Sequence, residues 1–321
     1  SFDSTRVAIE NTMIINWKKI CLTMLLVGAA MESFAFETGQ SGYVINVGGA
    51  KSEYTLMSFF VLPNQSLSIE VVKAGKHISF KVGSGTHLNK FDWTAPANPG
   101  LQTLLVQPDG ELPSTLHMFI LHPMELVKNN KLNGYTIGRY PKDVYKGLDS
   151  YRPPLGFVEV TKSNQDMLIS PHYTLRQFLC KQNEGYPKYV VLQTRLLRKL
   201  EYLTTAVNAK GIAMDSFTVM SGYRTPYYNT AIKNKKYSRH QWGGAADIYV
   251  DVNPKDGVMD DLNRDGKVNE KDAKYLWDMV ESFYRGVPEY KPFIGGLGLY
   301  KANAVHGPFV HVDVRGTRAR W

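Results

Sequence analysis

The chain has 321 residues, of which 43% are hydrophobic, 12% aromatic and 21% charged. This composition excludes a wholly disordered chain, a collagen-like repeat and a polytopic membrane protein, and the length predicts two folded domains. Lysine and arginine outnumber aspartate and glutamate by 38 to 29. The resulting net charge of +9 favours anionic surroundings such as nucleic acid, lipid headgroups or an acidic polymer. Cys21 and Cys180 are the only cysteines, so any metal must be held by histidines and carboxylates.

Residues 1–35 have the pattern of an export signal. A positive segment, Asn16-Trp17-Lys18-Lys19, precedes an apolar run over residues 20–31. A run of about 12 apolar residues is short for a bilayer span but suits the core of a secretory signal. Ser33-Phe34-Ala35 then provides a small-x-small cleavage site. We therefore expect an exported protein, periplasmic or associated with the cell envelope. An uncleaved membrane anchor and a buried helix are the alternatives, and only an uncleaved segment would contact a membrane.

Residues 36–127 predict an all-β sandwich. Short runs rich in β-branched and aromatic residues are separated by glycine and proline turns, as in a sandwich of antiparallel strands. The histidines in this region have no partner at a fixed spacing, so a binding or spacer role is the most that follows. The predicted strands are 43–47, 54–62, 67–72, 77–82, 101–106 and 116–121.

Residues 128–165 are polar and predict a linker with the entry to a second domain. Over residues 166–321 the pattern changes to helices and strands without regular alternation, which predicts an α+β domain. The predicted helices are 189–209 and 273–283, and the predicted strands are 217–220, 248–250 and 309–314.

The last predicted strand gathers titratable side chains on one face. Because side chains on a strand alternate, His311, Asp313 and Arg315 share the face opposite the valines. Upstream, His240 and Asp247 are seven residues apart and flank two glycines. Two imidazoles and one carboxylate suit a catalytic zinc ion, which leaves a fourth position for water. The spacing alone does not establish that these residues converge.

Three ordered motifs resemble the D-alanyl-D-alanine carboxypeptidase and dipeptidase family of zinc peptidases. They are Ser221-Gly222-Tyr223-Arg224-Thr225-Pro226, the S-x-H-x-x-G-x-A-x-D form of residues 238–247, and Phe309-Val310-His311-Val312-Asp313. The resemblance covers roughly residues 166–321. It implies the fold that these peptidoglycan peptidases share with lysostaphin-type enzymes and hedgehog signalling domains. It also implies an activity on the peptide stems of the bacterial cell wall.

The resemblance implies a role for several residues. His240, Asp247 and His311 match the zinc ligands of the family. Arg224 matches an arginine that helps hold the substrate near the scissile bond, and its fork of donors suits a carboxylate or an acyl oxygen. Ser238 matches the serine of the family's motif and is a candidate for substrate contact.

The general base is the point where the sequence departs from the family. Many members have a glutamate or aspartate three residues before the last zinc ligand, but this chain has Pro308 there. Asp313 is the first candidate for the base because it shares the face of His311, and His306 is the second. Alternatively, Asp313 orients His311 and does not react.

An acidic insert over residues 251–272 contains the pattern of an EF-hand calcium loop. Oxygen donors occupy loop positions one, three, five and twelve, and a glycine occupies position six. Calcium here would be structural, and a plain solvated loop is the alternative. The predicted ligands are Asp261, Asn263, Asp265, the backbone carbonyl of Lys267, and Asp272.

These observations predict zinc-dependent hydrolysis of amide bonds in peptidoglycan stem peptides or cross-links, of carboxypeptidase or endopeptidase type. The alternative is a catalytically inactive, zinc-containing module that binds the cell wall. Nucleic acid is not expected as a partner, because no basic stripe with interleaved aromatic residues is present. The sequence leaves the bond that is cut and the oligomeric state open.

Overall fold

Alternating apolar and polar residues form nine strands in the N-terminal part of the chain. The computed structural model describes residues 36–321, and the predicted export signal lies outside the described residues. In chain order the strands are β1 (Gln40–Val47), β2 (Ala50–Tyr54), β3 (Leu56–Val61), β4 (Ser66–Lys73), β5 (Lys76–His77), β6 (Phe80–Val82), β7 (Phe91–Thr94), β8 (Gly100–Pro108) and β9 (Ser114–Ile120).

These strands form two sheets with a shared core. The first sheet has the order β2-β1-β4-β5, with β7 also paired to β4, and the second has the order β3-β9-β8-β6. Strands β3 and β9 run parallel, while the other pairs are antiparallel. Ile69 and Val71 alternate with less buried neighbours on β4, and both belong to the hydrophobic core that the sheets share. The structure confirms that this N-terminal region is built from β-strands in more than one sheet.

The segment predicted as a linker, residues 128–165, contains a strand that pairs with two other strands. Its strand β13 (Gly156–Val160) pairs with β10 (His122–Pro123) on one side and with β16 (Lys188–Val190) on the other. The segment therefore contributes a central strand to a three-stranded sheet. The other short strands of this region are β11 (Lys131–Leu132), β12 (Tyr135–Thr136), β14 (Leu168–Ser170) and β15 (Tyr173–Thr174).

Helix α1 (Thr194–Ala209) links the N-terminal sheets to the rest of the chain. It begins five residues later than the predicted 189–209, because residues 188–190 belong to β16. Thr194 Oγ1 donates to Ser58 O at 2.8 Å, and Arg198 pairs with Glu53 at 2.8 Å. Phe36–Trp321 form one compact unit, and the predicted domain boundaries at 127/128 and 165/166 stay predictions.

The C-terminal part contains five strands and two helices. In chain order they are β17 (Thr218–Ser221), α2 (Pro226–Ala231), β18 (Ala245–Tyr249), α3 (Glu270–Gly286), β19 (Gly296–Tyr300), β20 (Phe309–Asp313) and β21 (Ala319–Arg320). The strands form one sheet of order β17-β18-β20-β19-β21. Neighbouring strands are antiparallel except for β19 and β21, which run parallel. Helix α3 packs on β19 and β20, and all five residues of β20 are buried.

The whole is a mixed α/β architecture with several sheets and few helices. The mixture of helices and strands predicted for residues 166–321 is confirmed in this coarse form. Within residues 36–321, no helix combines the length and the apolar character that crossing a bilayer requires.

Candidate metal centre

Two neighbouring strands and one tight turn bring three ligand-type side chains together. Asp247 on β18 and His311 on β20 are directly opposite each other in the antiparallel register. His240 lies in the 3₁₀ turn Arg239–Trp242, which ends at Gly243 with a φ of 62°. A Cβ atom on Gly243 would lie 2.2 Å from Val191 O, so both the left-handed backbone and the close packing require glycine there.

The three ligand atoms form a small triangle. His311 Nδ1 lies 2.8 Å from Asp247 Oδ1, and His240 Nε2 lies 3.1 Å from Asp247 Oδ1 and 3.2 Å from His311 Nδ1. A tetrahedral zinc ion with bonds of about 2.0 to 2.2 Å separates its ligand atoms by roughly 3.3 to 3.6 Å. A cation would therefore require the two longer edges to widen by about 0.1 to 0.5 Å and the shortest edge, between His311 Nδ1 and Asp247 Oδ1, to widen by about 0.5 to 0.8 Å.

Hydrogen bonds on the far side of each imidazole fix which nitrogen faces the triangle. His240 Nδ1 lies 2.6 Å from Gly222 O, which can only accept, so Nδ1 carries the proton and Nε2 presents a lone pair. His311 Nε2 lies 3.2 Å from a carboxylate oxygen of Asp313, so in the neutral ring Nδ1 has the lone pair. When both imidazoles are neutral, three buried acceptors point at one another, and a shared cation would remove their repulsion.

This triad is the only such group in the part of the chain that the structure describes. No other set of three or more His, Cys, Asp or Glu residues within 36–321 brings its ligand atoms within 4.8 Å of one another. All three residues are buried, with exposed fractions of 2% for His240, 3% for Asp247 and 6% for His311. The site can hold a metal ion, and its geometry does not identify which one.

Burial and neighbouring charges favour the protonation states in which two of the three triad residues can bind a metal ion, namely a neutral His240 and an ionised Asp247. Burial lowers the pKa of His240, which keeps its imidazole neutral. Burial alone would raise the pKa of Asp247, but His240 and His311 hold it well below its usual range. Burial alone would lower the pKa of His311, but hydrogen bonds to Asp247 and Asp313 raise it. A proton on His311 is therefore the competitor of a metal ion at this site.

Asp313 supports His311 from the side away from the triad. It is fully buried, and its oxygens accept from Gly296 N at 2.8 Å, from Arg315 N at 3.0 Å and from Arg315 Nη2 at 2.5 Å, besides His311. Burial would raise its pKa, but His311 and Arg315 hold the pKa well below its usual range. This geometry fits the expected role of general base poorly, because Asp313 contacts the imidazole nitrogen opposite the triad. It fits the alternative, in which Asp313 orients His311.

His306 is not in hydrogen-bond contact with the triad. Its Nε2 lies 2.8 Å from Asn303 Nδ2, its Nδ1 lies 2.8 Å from Gly307 O, and its ring packs edge-on against Phe309 at 4.9 Å. Both nitrogens are therefore occupied by local partners on the loop before β20. A proton-transfer role would require His306 to exchange these partners.

The structure brings Arg224 to the triad but leaves Ser238 without a defined contact. Arg224 Nη2 donates to Asp247 Oδ2 at 2.6 Å, and its Nε donates to Ser221 Oγ at 2.8 Å. Arg224 thus holds the oxygen of Asp247 that does not face the histidines. Ser238 precedes the turn that carries His240, is half-buried, and its hydroxyl has no hydrogen-bond partner among residues 36–321.

The predicted calcium loop folds its side chains onto its own backbone. Asp261 accepts from Asp265 N at 3.2 Å, Asn263 accepts from the same amide at 2.9 Å, and Asp265 accepts from Lys267 N at 3.0 Å. Asp272 is fully buried in the first turn of α3 and accepts from Asn263 N at 3.2 Å. The aspartates do not form a group of the kind described for the triad, so the calcium site stays a prediction.

Sequence reasoning missed two residues that pack around the triad. The indole of Trp321 lies 5.2 Å from the ring of His311 and donates to Tyr300 Oη at 2.8 Å. The buried Lys199 of α1 does not contact the triad itself but donates to the backbone carbonyl of Asp313 at 2.8 Å. No sequence signal marks Trp321, because only the structure shows that a Cβ at Gly298 would lie 2.5 Å from the indole nitrogen. A lysine on the apolar face of a helix was the signal for Lys199.

Comparison with protein-family models, with curated protein sequences and with solved structures found no match to this chain.

Proposed function

We propose that this chain is a zinc-dependent hydrolase that cleaves amide bonds in the peptide stems or cross-links of peptidoglycan. The observation that carries the proposal is the convergence of His240 Nε2, Asp247 Oδ1 and His311 Nδ1 within 3.2 Å of one another. Two imidazoles and one carboxylate are a ligand set that suits a catalytic zinc ion. Two of the three sequence motifs that resemble zinc peptidases contain these same three residues, and the remaining motif contains Arg224.

Bound at this site, zinc would supply a Lewis acid that lowers the pKa of a water molecule to about 7 and polarises an amide carbonyl. The protein residues hold and orient the ligands. Arg224 fixes one oxygen of Asp247, and Asp313 fixes the tautomer of His311. The guanidinium of Arg224 uses Nε and Nη2 on protein partners, so its remaining nitrogen is the donor available to a substrate oxygen.

His306 is the candidate proton carrier in this proposal. It lies on the loop that leads into the strand of His311, and an imidazole can both accept and donate a proton. To act, it must give up its contacts with Asn303 and Gly307. Hydrogen bonds in the free state of an enzyme are often not those of the substrate complex.

The remaining expectations complete the proposal. Export would follow from residues 1–35, and the net charge of +9 would favour adsorption to a cell wall rich in carboxylates. The fold of residues 166–321 would be that of hedgehog and D-alanyl-D-alanine peptidase domains. Calcium bound by the loop over residues 261–272 would be structural, because that loop leads directly into α3.

A non-catalytic module that binds the cell wall is the second candidate. Pro308 occupies the place of the family's usual base, and the buried Asp313 already binds His311 and Arg315. Within residues 36–321, no carboxylate other than Asp247 joins the histidines at the triad. A site of this kind could bind zinc for stability alone.

Digestion of purified sacculi separates the two candidates. The full chain, loaded with zinc, is incubated with sacculi, and the released muropeptides are identified by mass spectrometry with and without a chelator. Hydrolysis predicts new peptide fragments that disappear with the chelator and with His240→Ala. His77→Ala is the matched control, because His77 is exposed on β5 in the N-terminal sheet. Sacculus binding without release of fragments would support the non-catalytic module, and equal release by His240→Ala would exclude zinc chemistry at this site.

A further inference from the structure

The indole of Trp321 lies beside the triad and is held there by β19. Gly298 pairs with His311 in the antiparallel register, and its missing side chain leaves the space that the indole occupies. A Cβ atom would lie 2.5 Å from the indole on Gly298 and 2.9 Å from it on Gly296. The backbone of Trp321 continues this contact, because Leu299 N donates to Trp321 O at 2.8 Å.

The indole stays open to solvent although these contacts fix it. Trp321 is 47% exposed, and its Nε1–H donates to Tyr300 Oη at 2.8 Å. The centroid of its ring lies 5.2 Å from that of His311. Consecutive Cα atoms of a peptide are about 3.8 Å apart, so the residues next to an amide bound at the triad come within reach of the indole.

The surroundings of the indole restrict what it can contact. The N–H of the ring is already bonded to Tyr300, so the exposed part of the ring offers no donor. A cationic group is disfavoured, because the guanidinium of Arg315 lies 5.3 Å from the ring centroid. A carboxylate is disfavoured as well, because the face of an aromatic ring is negative. An uncharged aliphatic group fits these restrictions, and its contact with the indole removes apolar surface from water.

We propose that Trp321 is the aromatic wall against which the substrate packs an uncharged aliphatic side chain, on a residue that flanks the amide at the metal centre. This inference rests on the proposed function, because it takes a peptide as the molecule bound at the triad. Trp321 is then a specificity-determining residue that contacts the substrate and takes no part in proton transfer or metal binding. The methyl group of alanine is sufficient for the contact, whereas glycine has no side chain to make it.

Nuclear magnetic resonance of the zinc-free full chain tests the contact independently of hydrolysis. A chelator is present throughout, and the probes are acetyl-Ala-Ala-amide with each alanine in the L or the D form, acetyl-Gly-Gly-amide and N-acetylglucosamine. We expect an alanine peptide to shift the indole N–H signal of Trp321, which is assigned by its loss in Trp321→Phe. The signal of Trp93 should stay in place, because Trp93 lies in the N-terminal sheet and donates to Gln102.

The affinities decide whether the aliphatic group is recognised. The alanine peptide that shifts Trp321 should bind about fourfold more tightly than the glycine peptide, which is the factor for removing one methyl group from water. No shift at Trp321 with any peptide, or equal affinities of the alanine and glycine peptides, would overturn the proposal. A larger shift with N-acetylglucosamine than with the peptides would make the indole a sugar platform and refute it as well.

Two substitutions of Trp321 separate substrate contact from a structural role. The affinities are followed by the acetyl methyl signal that both peptides carry, and thermal unfolding verifies that each variant is folded. In Trp321→Ala the preference for alanine over glycine should fall from about fourfold to about one, and Trp321→Phe, which keeps an aromatic face, should retain it. Tyr275→Ala is the matched control and should keep the preference, because Tyr275 has a similar exposed fraction of 42% and lies on α3. Equal weakening of both peptides by Trp321→Ala would refute the proposal.

The peptide titration and the digestion of sacculi can fail separately. Release of fragments together with equal binding of the alanine and glycine peptides would overturn the role of Trp321 and leave the hydrolase standing. An alanine preference that depends on Trp321, without release of fragments, would support the aromatic wall and overturn the hydrolase.

Discussion

Replacing Asp313 with asparagine separates an orienting role from a proton-transfer role. In the structure Asp313 Oδ1 accepts from Gly296 N, Arg315 N and Arg315 Nε, and Asp313 Oδ2 accepts from His311 Nε2, Arg315 Nε and Arg315 Nη2. Asparagine keeps only one acceptor oxygen. If that oxygen stays with the backbone amides, the new NH₂ group faces His311 Nε2–H. The proton of His311 would then move to Nδ1, which is the atom that faces the triad.

The expected effect is a loss of zinc affinity. Substitution of a group that orients a ligand histidine typically lowers metal affinity 10- to 100-fold, which corresponds to about 1.4 to 2.7 kcal/mol. Because His240, Asp247 and His311 remain, the proposed turnover should recover when zinc is added in excess. A competition titration with a chromogenic chelator measures the affinity, and muropeptide release at saturating zinc measures the turnover.

Arg315→Gln is the control for this experiment. The substitution removes the guanidinium that contacts Asp313. It leaves the Asp313 carboxylate bonded to His311, to Gly296 N and to the backbone amide of residue 315. We expect its loss of zinc affinity to be smaller than that of Asp313→Asn, and thermal unfolding of both variants verifies that they are folded. An Asp313→Asn protein that binds zinc like the wild type and has no turnover would refute the orienting role and make Asp313 the base.

Three further predictions concern the support of the fold around the site. Burial lowers the pKa of Lys199 to about 7, so the unfolded chain binds more protons than the native one above that pH. Its contribution to the unfolding free energy should rise with pH between 7 and 10 by up to about 1.4 kcal/mol per pH unit, and Lys199→Met should remove this rise. Burial alone would lower the pKa of His172, but its ion pair with Glu201 raises it. The stabilisation by the ion pair of His172 with Glu201 should therefore be complete below the unfolded pKa of about 6.5 and be lost as the pH rises through the folded pKa. His172→Gln should accordingly destabilise the protein more at pH 6 than at pH 8, as measured by urea unfolding. A Cβ on Gly298 would lie 2.5 Å from Trp321 Nε1, so Gly298→Ala should displace the indole, change the tryptophan fluorescence and destabilise the protein by about 1 to 3 kcal/mol.

Each of these predictions has a control or a contradicting result. Equal pH slopes for wild type and Lys199→Met would show that this lysine keeps its ordinary protonation. A destabilisation by His172→Gln that grows with pH would contradict the ion pair. Gly307→Ala is the control for the glycine variant, because a Cβ there would meet Val258 Cγ1 at an ordinary 3.5 Å. Equal effects of the two glycine variants would contradict the steric argument.

Motifs in the sequence could mark His240, Asp247 and His311 because part of the geometry of the triad is local, whereas the pairing of β18 with β20 that brings Asp247 to His311 is long-range. The alternation of β20 places His311 and Asp313 on one face, and the turn at Gly243 returns the chain toward Asp247. These constraints act within a few residues, so a motif can contain them. The direction from which Asp313 approaches His311 also depends on its contacts with Gly296 and Arg315. The prediction that Asp313 is the general base rested on the shared strand face alone and took no account of these contacts.

Long-range packing explains the other differences. The segment 128–165 is polar and resembles a linker in composition, but the pairing of β13 with β10 and β16 orders it. The start of α1 was misplaced because Tyr189 and Val190 continue the apolar pattern of the helix while they belong to a strand.

Anomalous diffraction at the zinc absorption edge, from crystals grown with zinc, tests the central claim most directly. We predict one strong peak about 2.0 to 2.2 Å from His240 Nε2, His311 Nδ1 and an oxygen of Asp247, and we predict that the peak is lost in crystals of His240→Ala. Well-ordered wild-type crystals with no peak among these three side chains, or with zinc bound only elsewhere, would contradict the account.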